Sequence, residues 1–376
     1  MDAKAEYWLK YEDFPTLLKT LIKEGIVDKI IGAETKRNRF SVSPTTIEKA
    51  EDIEEFPLSN LIVYGYSRTD SAAKYLKDSL KGAKEEKIGL IARPCDTRAL
   101  VELAKIRQVN LENLFIIALE DRGMVMDVSK AMRKNDEIDE EKIVKEKASD
   151  EGLVFEFDDG STKTLEYGKK IYFAENCLRC IRKGPVVADL SVSDIGLPID
   201  SDGLILKTYS ERGDTVLEKS GLKLESLPDD IKKTHTEKFE EIIESAKEKR
   251  EKDLEEWKNV PQAEKIEMLK KCTMCGMCIR GCPVCYCVDC ILQKKRKEKQ
   301  INAEAYQLTR IAHVADRCVE CGNCDNNCPM NLPLSLYFQS LNEAFKEKFE
   351  YTPGESTEDI PFRSGKAIKE MELEKT

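Results

Sequence analysis

Two cysteine runs in the last third of the chain restrict it more than any other feature. The first reads Cys272-x2-Cys275-x2-Cys278-x3-Cys282-Pro283, the second Cys318-x2-Cys321-x2-Cys324-x3-Cys328-Pro329. Two-residue gaps let three thiolates wrap one face of an iron–sulfur cubane, and the proline stops the chain before the fourth ligand is carried away. Where such runs come in pairs, the fourth cysteine of each ligates the other cluster. We therefore assign Cys272, Cys275, Cys278 and Cys328 to one 4Fe-4S cluster, and Cys318, Cys321, Cys324 and Cys282 to a second. Crossing ties both runs into one small fold. Gly276 and Gly322 sit inside the loops, where backbone must approach sulfide closely.

Other uses of so many thiols fit poorly. A disulfide framework belongs to short secreted domains, and no secretory leader opens these 376 residues. Zinc is satisfied by C-x2-C pairs and does not require the longer pattern twice. Fourteen cysteines in this spacing point to a reducing cytoplasm. A net charge of −10 argues against a nucleic-acid partner. Mean hydropathy is −0.48, and no stretch approaches the ~20 apolar residues of a membrane span. His235 and His313 are the only histidines, and both read as ordinary surface or capping residues in polar helices, so imidazole catalysis is not expected.

The N-terminal half alternates between helical and strand patterns. Phe14, Leu17, Leu18, Leu21 and Ile22 share a helical face over residues 14–25, with Pro15 in the first turn and Gly25 at the end. Residues 26–33, 61–66, 88–92 and 114–119 read as strands, and 71–81 and 97–108 as helices. Such alternation implies a mostly parallel α/β sheet, with ligands beyond the carboxyl ends of its strands. Arg93-Pro94-Cys95-Asp96 lies at such an end. A thiol at a helix N-terminus has a lowered pKa and is a ready metal ligand; a half-buried structural cysteine is the alternative. One strand earlier, Gly65, Tyr66, Ser67, Arg68, Thr69 and Ser71 form either a phosphate cradle or a plain turn. Residues 123–149 read as helical and charged, and Asp159-Gly160 as a hairpin turn between 154–157 and 162–165. Strands over 186–192 and 204–208 and a short helix over 213–220 complete this half.

Residues 229–258 are rich in Lys and Glu, yet Phe239, Ile243, Ala246, Leu254 and Trp257 keep helical spacing, as in a long amphipathic connector. Between the two cysteine runs, Cys285-Tyr286-Cys287-x2-Cys290 precedes Lys294, Lys295, Arg296 and Lys297, which we read as a solvated helix face in preference to a docking patch. The organisation expected is an α/β domain at 1–228, a helical connector at 229–261, a two-cluster ferredoxin-like α+β domain at 262–345, and a polar tail at 346–376. That tail either clasps another subunit or is disordered.

Six cysteines remain after the two clusters: Cys95, Cys177, Cys180, Cys285, Cys287 and Cys290. Cys177-x2-Cys180 alone is ambiguous between half a cluster site, half a zinc site and a redox pair. Four thiolates make one further cubane. The count therefore leads us to expect a third 4Fe-4S cluster on Cys177 and Cys180, with Cys95 adding a ligand and one of Cys285, Cys287 and Cys290 reaching across the domain boundary.

In these residues the chain resembles the beta subunits of coenzyme F-420-dependent hydrogenases and formate dehydrogenases. The resemblance covers most of the chain. It is carried by Arg93-Pro94-Cys95-Asp96-Thr97-Arg98, by Cys177-Leu178-Arg179-Cys180 and by Ala188-Asp189-Leu190-Ser191-Val192. Cys282-Pro283-Val284-Cys285-Tyr286-Cys287 and His313-Val314-Ala315-Asp316-Arg317-Cys318 bring it nearest to the formate dehydrogenase beta subunit. The resemblance implies an iron–sulfur flavoprotein, with FAD in the α/β domain exchanging hydride with coenzyme F-420. Gly65–Ser71 with Arg93, Pro94 and Asp96 would line that cofactor site. The implied partners are a formate dehydrogenase catalytic subunit, a heterodisulfide reductase or hydrogenase subunits, in a hetero-oligomer. A flavin-less wiring subunit is the alternative. Two departures stand out: the family's glycine-rich loop before the first helix reads Tyr11-Glu12-Asp13-Phe14-Pro15 here, and a family cysteine beyond the fourth strand is replaced within Glu120-Asp121-Arg122-Gly123.

Overall fold

The computed structural model describes residues 1–359 except 68, 134–137 and 169. The chain opens with β1 (Ala5–Lys10), α1 (Phe14–Lys23), β2 (Lys29–Thr35), β3 (Val42–Ile47), α2 (Leu58–Tyr64), α3 (Ala72–Ser79), β4 (Ile88–Ala92), α4 (Pro94–Lys105) and β5 (Leu114–Glu120). It continues through β6 (Val125–Met126), α5 (Val128–Met132), β7 (Ile143–Ala148), β8 (Gly152–Phe157), β9 (Thr162–Glu166), β10 (Tyr172–Phe173), α6 (Glu175–Leu178), β11 (Leu190–Ser193), β12 (Gly203–Thr208), α7 (Glu211–Ser220) and β13 (Glu225–Ser226). Helices follow: α8 (Asp229–Asn259), α9 (Gln262–Lys270), α10 (Met277–Arg280), α11 (Ile291–Lys297), α12 (Ala303–Val314), α13 (Asn323–Asn326) and α14 (Leu334–Phe349).

The main sheet has eight strands in the order β13-β1-β12-β11-β5-β4-β2-β3. Its centre, β2-β4-β5-β11, is parallel. β4 and β5 are buried along their whole length, the mark of strands covered on both faces. The flanks are antiparallel: β3 on β2, and β12, β1 and β13 on the far side. The sheet is therefore mixed, where a mostly parallel one was expected. Short links explain this. Residues 36–41 and 194–202 are too few for a crossover, so β3 and β12 fold straight back on their predecessors.

Two other expectations fail locally. Residues 61–66 lie in α2 and the turn after it, not in a strand. An all-buried apolar run has no periodicity to read, and here Pro57 before it and Gly65 after it, at φ +61°, start and stop a helix. Among the described residues of 123–149 the only α-helix is the short α5; residues 125–126 form β6, and residues 143–148 form β7 of a three-stranded side sheet with β8 and β9. The charges that suggested a helix are paired: Glu146 accepts from Arg39 Nη2 at 2.8 Å and from Asn60 at 2.7 Å. The Asp159-Gly160 hairpin is present between β8 and β9.

α8 buries Ala246, Arg250, Leu254 and Trp257 along one stripe. Beyond Ser226 no strand occurs among the described residues, so the C-terminal region is helical and not α+β. The first part of the tail clasps its own chain. Tyr351 Oη donates to Asp316 O at 2.9 Å, Gly354 N donates to Glu102 Oε1 at 2.6 Å, and Arg182 Nη1 donates to Pro353 O at 2.8 Å. Residues 360–376 lie outside the described residues.

Candidate iron–sulfur sites

The two cysteine runs fold alike, residue for residue. Met274 and Glu320, each just before the second cysteine, have positive φ (53° and 57°). Gly276 and Gly322, just after it, have φ of 80° and 72° and start α10 and α13. Two left-handed residues around one cysteine curl the backbone so that its amides face inward. A Cβ on Gly322 would sit 1.8 Å from Asn176 of the α/β half, so this glycine is also where the two halves meet.

Cys282 of the first run lines a cavity together with Cys318, Cys321 and Cys324 of the second. Among the remaining thiols of the runs, Gln307 Nε2 lies 3.1 Å from Cys272 Sγ and 3.8 Å from Cys278 Sγ. Arg296 donates to the carbonyls of Met274 and Cys275 at 3.0 and 3.3 Å, and so is not part of a purely solvated face. Leu332 N lies 3.4 Å from Cys328 Sγ.

Arg310 provides the charge test of these sites. Its side chain is buried, it donates to Cys278 O at 3.0 Å, and its Nε and Nη1 have no partner. Burial opposes its charge, but the neighbouring Cys278, Cys324, Cys282 and Cys285 thiols more than offset that and raise its pKa. A buried, half-satisfied guanidinium is costly unless anions face it. Thiolate-bound cubanes carry negative charge, so the donor set and the spare cation fit such clusters.

A second thiol cavity lies beyond the carboxyl ends of β4 and β5, where ligands of α/β sheets collect. Cys95, Cys177 and Cys180 line it, with Arg93, Arg98, Asp121, Arg182, Lys183, Glu320 and Cys321. Arg98 Nη2 is 3.8 Å from Cys180 Sγ, and Asn176 bridges Cys177 Sγ at 3.7 Å to Cys321 O at 2.9 Å. Burial raises the Cys180 thiol, but Arg98 and Lys183 outweigh it and lower the pKa. Burial pushes the Cys177 and Cys95 thiols up. For Cys95 this reverses the expected effect of the helix N-terminus: desolvation exceeds the dipole.

The trio Cys285, Cys287 and Cys290 does not reach this place. It lines a separate cavity with Tyr286, His313 and Arg317, on the other side of Arg310. Among the described residues no three Cys, His, Asp or Glu side chains meet closely enough to hold a single metal ion. The thiols of Cys282, Cys318, Cys321 and Cys324, and those of Cys95, Cys177 and Cys180, instead line cavities.

Several of the residues expected to line the cofactor site make protein contacts, while Arg93 Nη1 has no hydrogen-bond partner. Gly65 packs on Arg93, whose Nη1 a Cβ would meet at 2.0 Å. Buried Tyr66 donates to Ile91 O at 2.9 Å, and Ser71 caps α3 by accepting from Lys74 N. Asp96 accepts from Arg93 N and Ala73 N, and Pro94 begins α4. Thr69 lies against Gly281, and Asn323 donates to Asp70 O at 3.4 Å, so the loop abuts the cysteine region. Arg68 lies outside the described residues, and no contact of Ser67 opens a groove.

Sequence reasoning missed Arg98, Asp121, Arg310 and Glu320. Arg98 and Asp121 carried a signal, Arg98 within the run 93–98 that bears the resemblance and Asp121 as the residue following an apolar strand. Glu320 accepts from Arg250 Nη1 and Nη2 at 2.9 and 3.0 Å, and although burial alone would raise its pKa, Arg250 and Arg182 hold it down to about 2. His235, read as a surface residue, is buried, with Nε2 2.9 Å from Lys207 Nζ and 3.1 Å from Glu120.

Comparison with known proteins follows the same division. Residues 85–224 match the family model for the C-terminal part of the coenzyme F-420 hydrogenase/dehydrogenase beta subunit, and residues 267–332 that of a 4Fe-4S dicluster domain. The chain is 29% identical over 358 residues to the F-420-dependent formate dehydrogenase subunit beta of Methanocaldococcus jannaschii, covering 90% of each. It is 28% identical over 377 residues to the F-420-dependent formate dehydrogenase 1 subunit beta of Methanococcus maripaludis, covering 93% of this chain and 92% of that one. A chain of the F-420-reducing NiFe hydrogenase complex from Methanosarcina barkeri shares the fold, with a TM-score of 0.55 at 16% identity over 69% of this chain and 94% of that chain.

Proposed function

We propose that this chain, a homologue of the beta subunits of F-420-dependent formate dehydrogenases, is the electron-transfer subunit of a hetero-oligomeric redox complex. The observation that carries the reading is the position of Cys321. It lines both the Cys282–Cys318–Cys324 cavity and the Cys95–Cys177–Cys180 cavity, so the two sites share a wall. Single electrons would pass from the α/β half to the dicluster region across that wall, and leave through the Cys272–Cys275–Cys278 site to a partner. The partner in this reading is a formate dehydrogenase catalytic subunit, a heterodisulfide reductase or a hydrogenase subunit. The protein supplies burial, fixed cations and short separations; the cubanes supply one-electron chemistry.

In the fuller form of this reading the α/β half also holds FAD, which takes electrons as a pair from reduced F-420 and gives them up singly. A second form, a flavin-less wiring subunit, draws support from the protein contacts made by Tyr66, Ser71 and Asp96. Anaerobic purification with the partner subunits separates the two. Flavin released on denaturation, with reduced F-420 oxidised by the complex, supports the flavoprotein form. Iron–sulfur absorption without extractable flavin supports the wiring form. A colourless, iron-free chain would overturn both.

A further inference from the structure

The cavity beyond β4 and β5 offers three thiols, from Cys95, Cys177 and Cys180, and a cubane needs four ligands. We propose that the fourth ligand is the carboxylate of Asp121, giving a 4Fe-4S site of three cysteines and one aspartate. The proposal rests on the reading of this cavity as a cluster site.

Three observations single out Asp121. It is 5% exposed, and one of its oxygens, Oδ2, has no hydrogen-bond partner while lining the cavity. Its other oxygen, Oδ1, is held by Arg93 Nη2 at 2.9 Å. The side chain is therefore fixed by one oxygen and free at the other, as monodentate ligation requires. A buried, unpaired carboxylate oxygen is expensive unless something unseen satisfies it. Finally, the loop is pressed onto the cysteine pair: Gly123, at φ +129°, has no room for a side chain, since a Cβ would lie 2.6 Å from Cys177 Cβ.

The competing carboxylate and thiols are spoken for, and the other unpartnered side-chain oxygen on the wall, Asn176 Oδ1, belongs to a neutral amide, a weaker iron ligand than a carboxylate. Both Glu320 oxygens accept from Arg250, and Asn342 adds a third bond. Cys321 lines the neighbouring cavity with Cys282, Cys318 and Cys324, completing a set of four there. Cys285, Cys287 and Cys290 surround a different cavity. Ligation forms one iron–oxygen bond from an existing carboxylate and transfers no electrons. Arg93, paired to the remote oxygen, acts as a positioning residue. The hard ligand marks one iron of the cubane as chemically distinct from the three bound by sulfur.

The test compares the full chain with Asp121→Ala, Asp121→Cys and Cys177→Ser, each purified anaerobically and characterised by iron analysis, Mössbauer and EPR spectroscopy. The proposal expects about twelve irons in the parent, four per cubane, and a loss of about a third or a 3Fe signature in Asp121→Ala. Asp121→Cys should restore the full count with an altered spectrum. In the parent labelled with 13C-aspartate, electron–nuclear double resonance should show carbon coupled to the cluster, a readout that needs no variant to fold. Twelve irons with no such coupling, or with an unchanged spectrum in Asp121→Ala, would overturn the aspartate ligand while leaving a third cluster in place. About eight irons in the parent, unchanged in Cys177→Ser, would remove the third cluster and the proposal with it.

Discussion

Single residues set the charge environment in which electrons would move. Arg310 is the strongest case, a buried cation with two unpaired nitrogens facing the thiols of both cysteine runs. A fixed positive charge favours the reduced, more negative form of a cluster. Arg310→Gln should therefore lower the midpoint potential of at least one cluster by on the order of 60 mV, a tenfold change in a one-electron equilibrium. An EPR-monitored redox titration measures this, and unchanged potentials would show that Arg310 serves packing alone. Lys147, far from the thiols, sets a different dependence. Burial pushes its ammonium down to about 8, against the pull of Asp194 and with Lys145 and Arg122 adding repulsion. The folded state thus binds fewer protons than the unfolded state between about pH 8 and 10.5, so stability should rise with pH across that window. Lys147→Met should flatten the rise, by about 2 kcal/mol over two pH units. Urea midpoints at pH 7.5 and 9.5, in parent and variant, decide it; parallel slopes would contradict the buried ammonium.

Elements join what sequence reading kept apart. α8 carries Arg250 to Glu320 inside the second cysteine run and Asp253 to Arg179, next to Cys180. It is a brace between the two thiol regions as well as a link along the chain. Removing one partner of a buried ion pair typically costs about 3 kcal/mol or more. Arg250→Ala should cost a similar amount and loosen the α8–α14 contact, read as faster amide exchange in residues 318–326 with helix content unchanged. Exchange confined to α8 would instead mean that the brace is local. Elements also show what was legible. Clean periodicities such as α1, with Phe14, Leu17, Leu18 and Leu21 buried, and turn chemistry such as Asp159-Gly160 were read correctly. α2 was not, because a run buried on all sides gives no period. β7 was not, because its charges are neutralised by Arg39, which is remote in sequence.

At the scale of the whole molecule, the cysteine spacing carried the site information and the sheet carried little. The dicluster region was readable because its cysteines are local in sequence and their spacing is dictated by cubane geometry. Cys321 as a shared wall, Asp121 beside Cys177, and the contact of residues 69–70 with the cysteine region were not readable. Each arises from contacts between segments more than 50 residues apart in sequence, which no local pattern encodes. No helix among the described residues is long and apolar enough to cross a membrane. What matters for the role is whether the thiol sites lie close enough to act as one conductor. The most direct measurement is EPR of the anaerobically purified chain under stepwise reduction. Neighbouring cubanes should give a split, spin-coupled spectrum once two are reduced together, and Cys321→Ala should abolish the coupling. Zinc at these thiols, or iron clusters that stay magnetically isolated at full reduction, would contradict the relay.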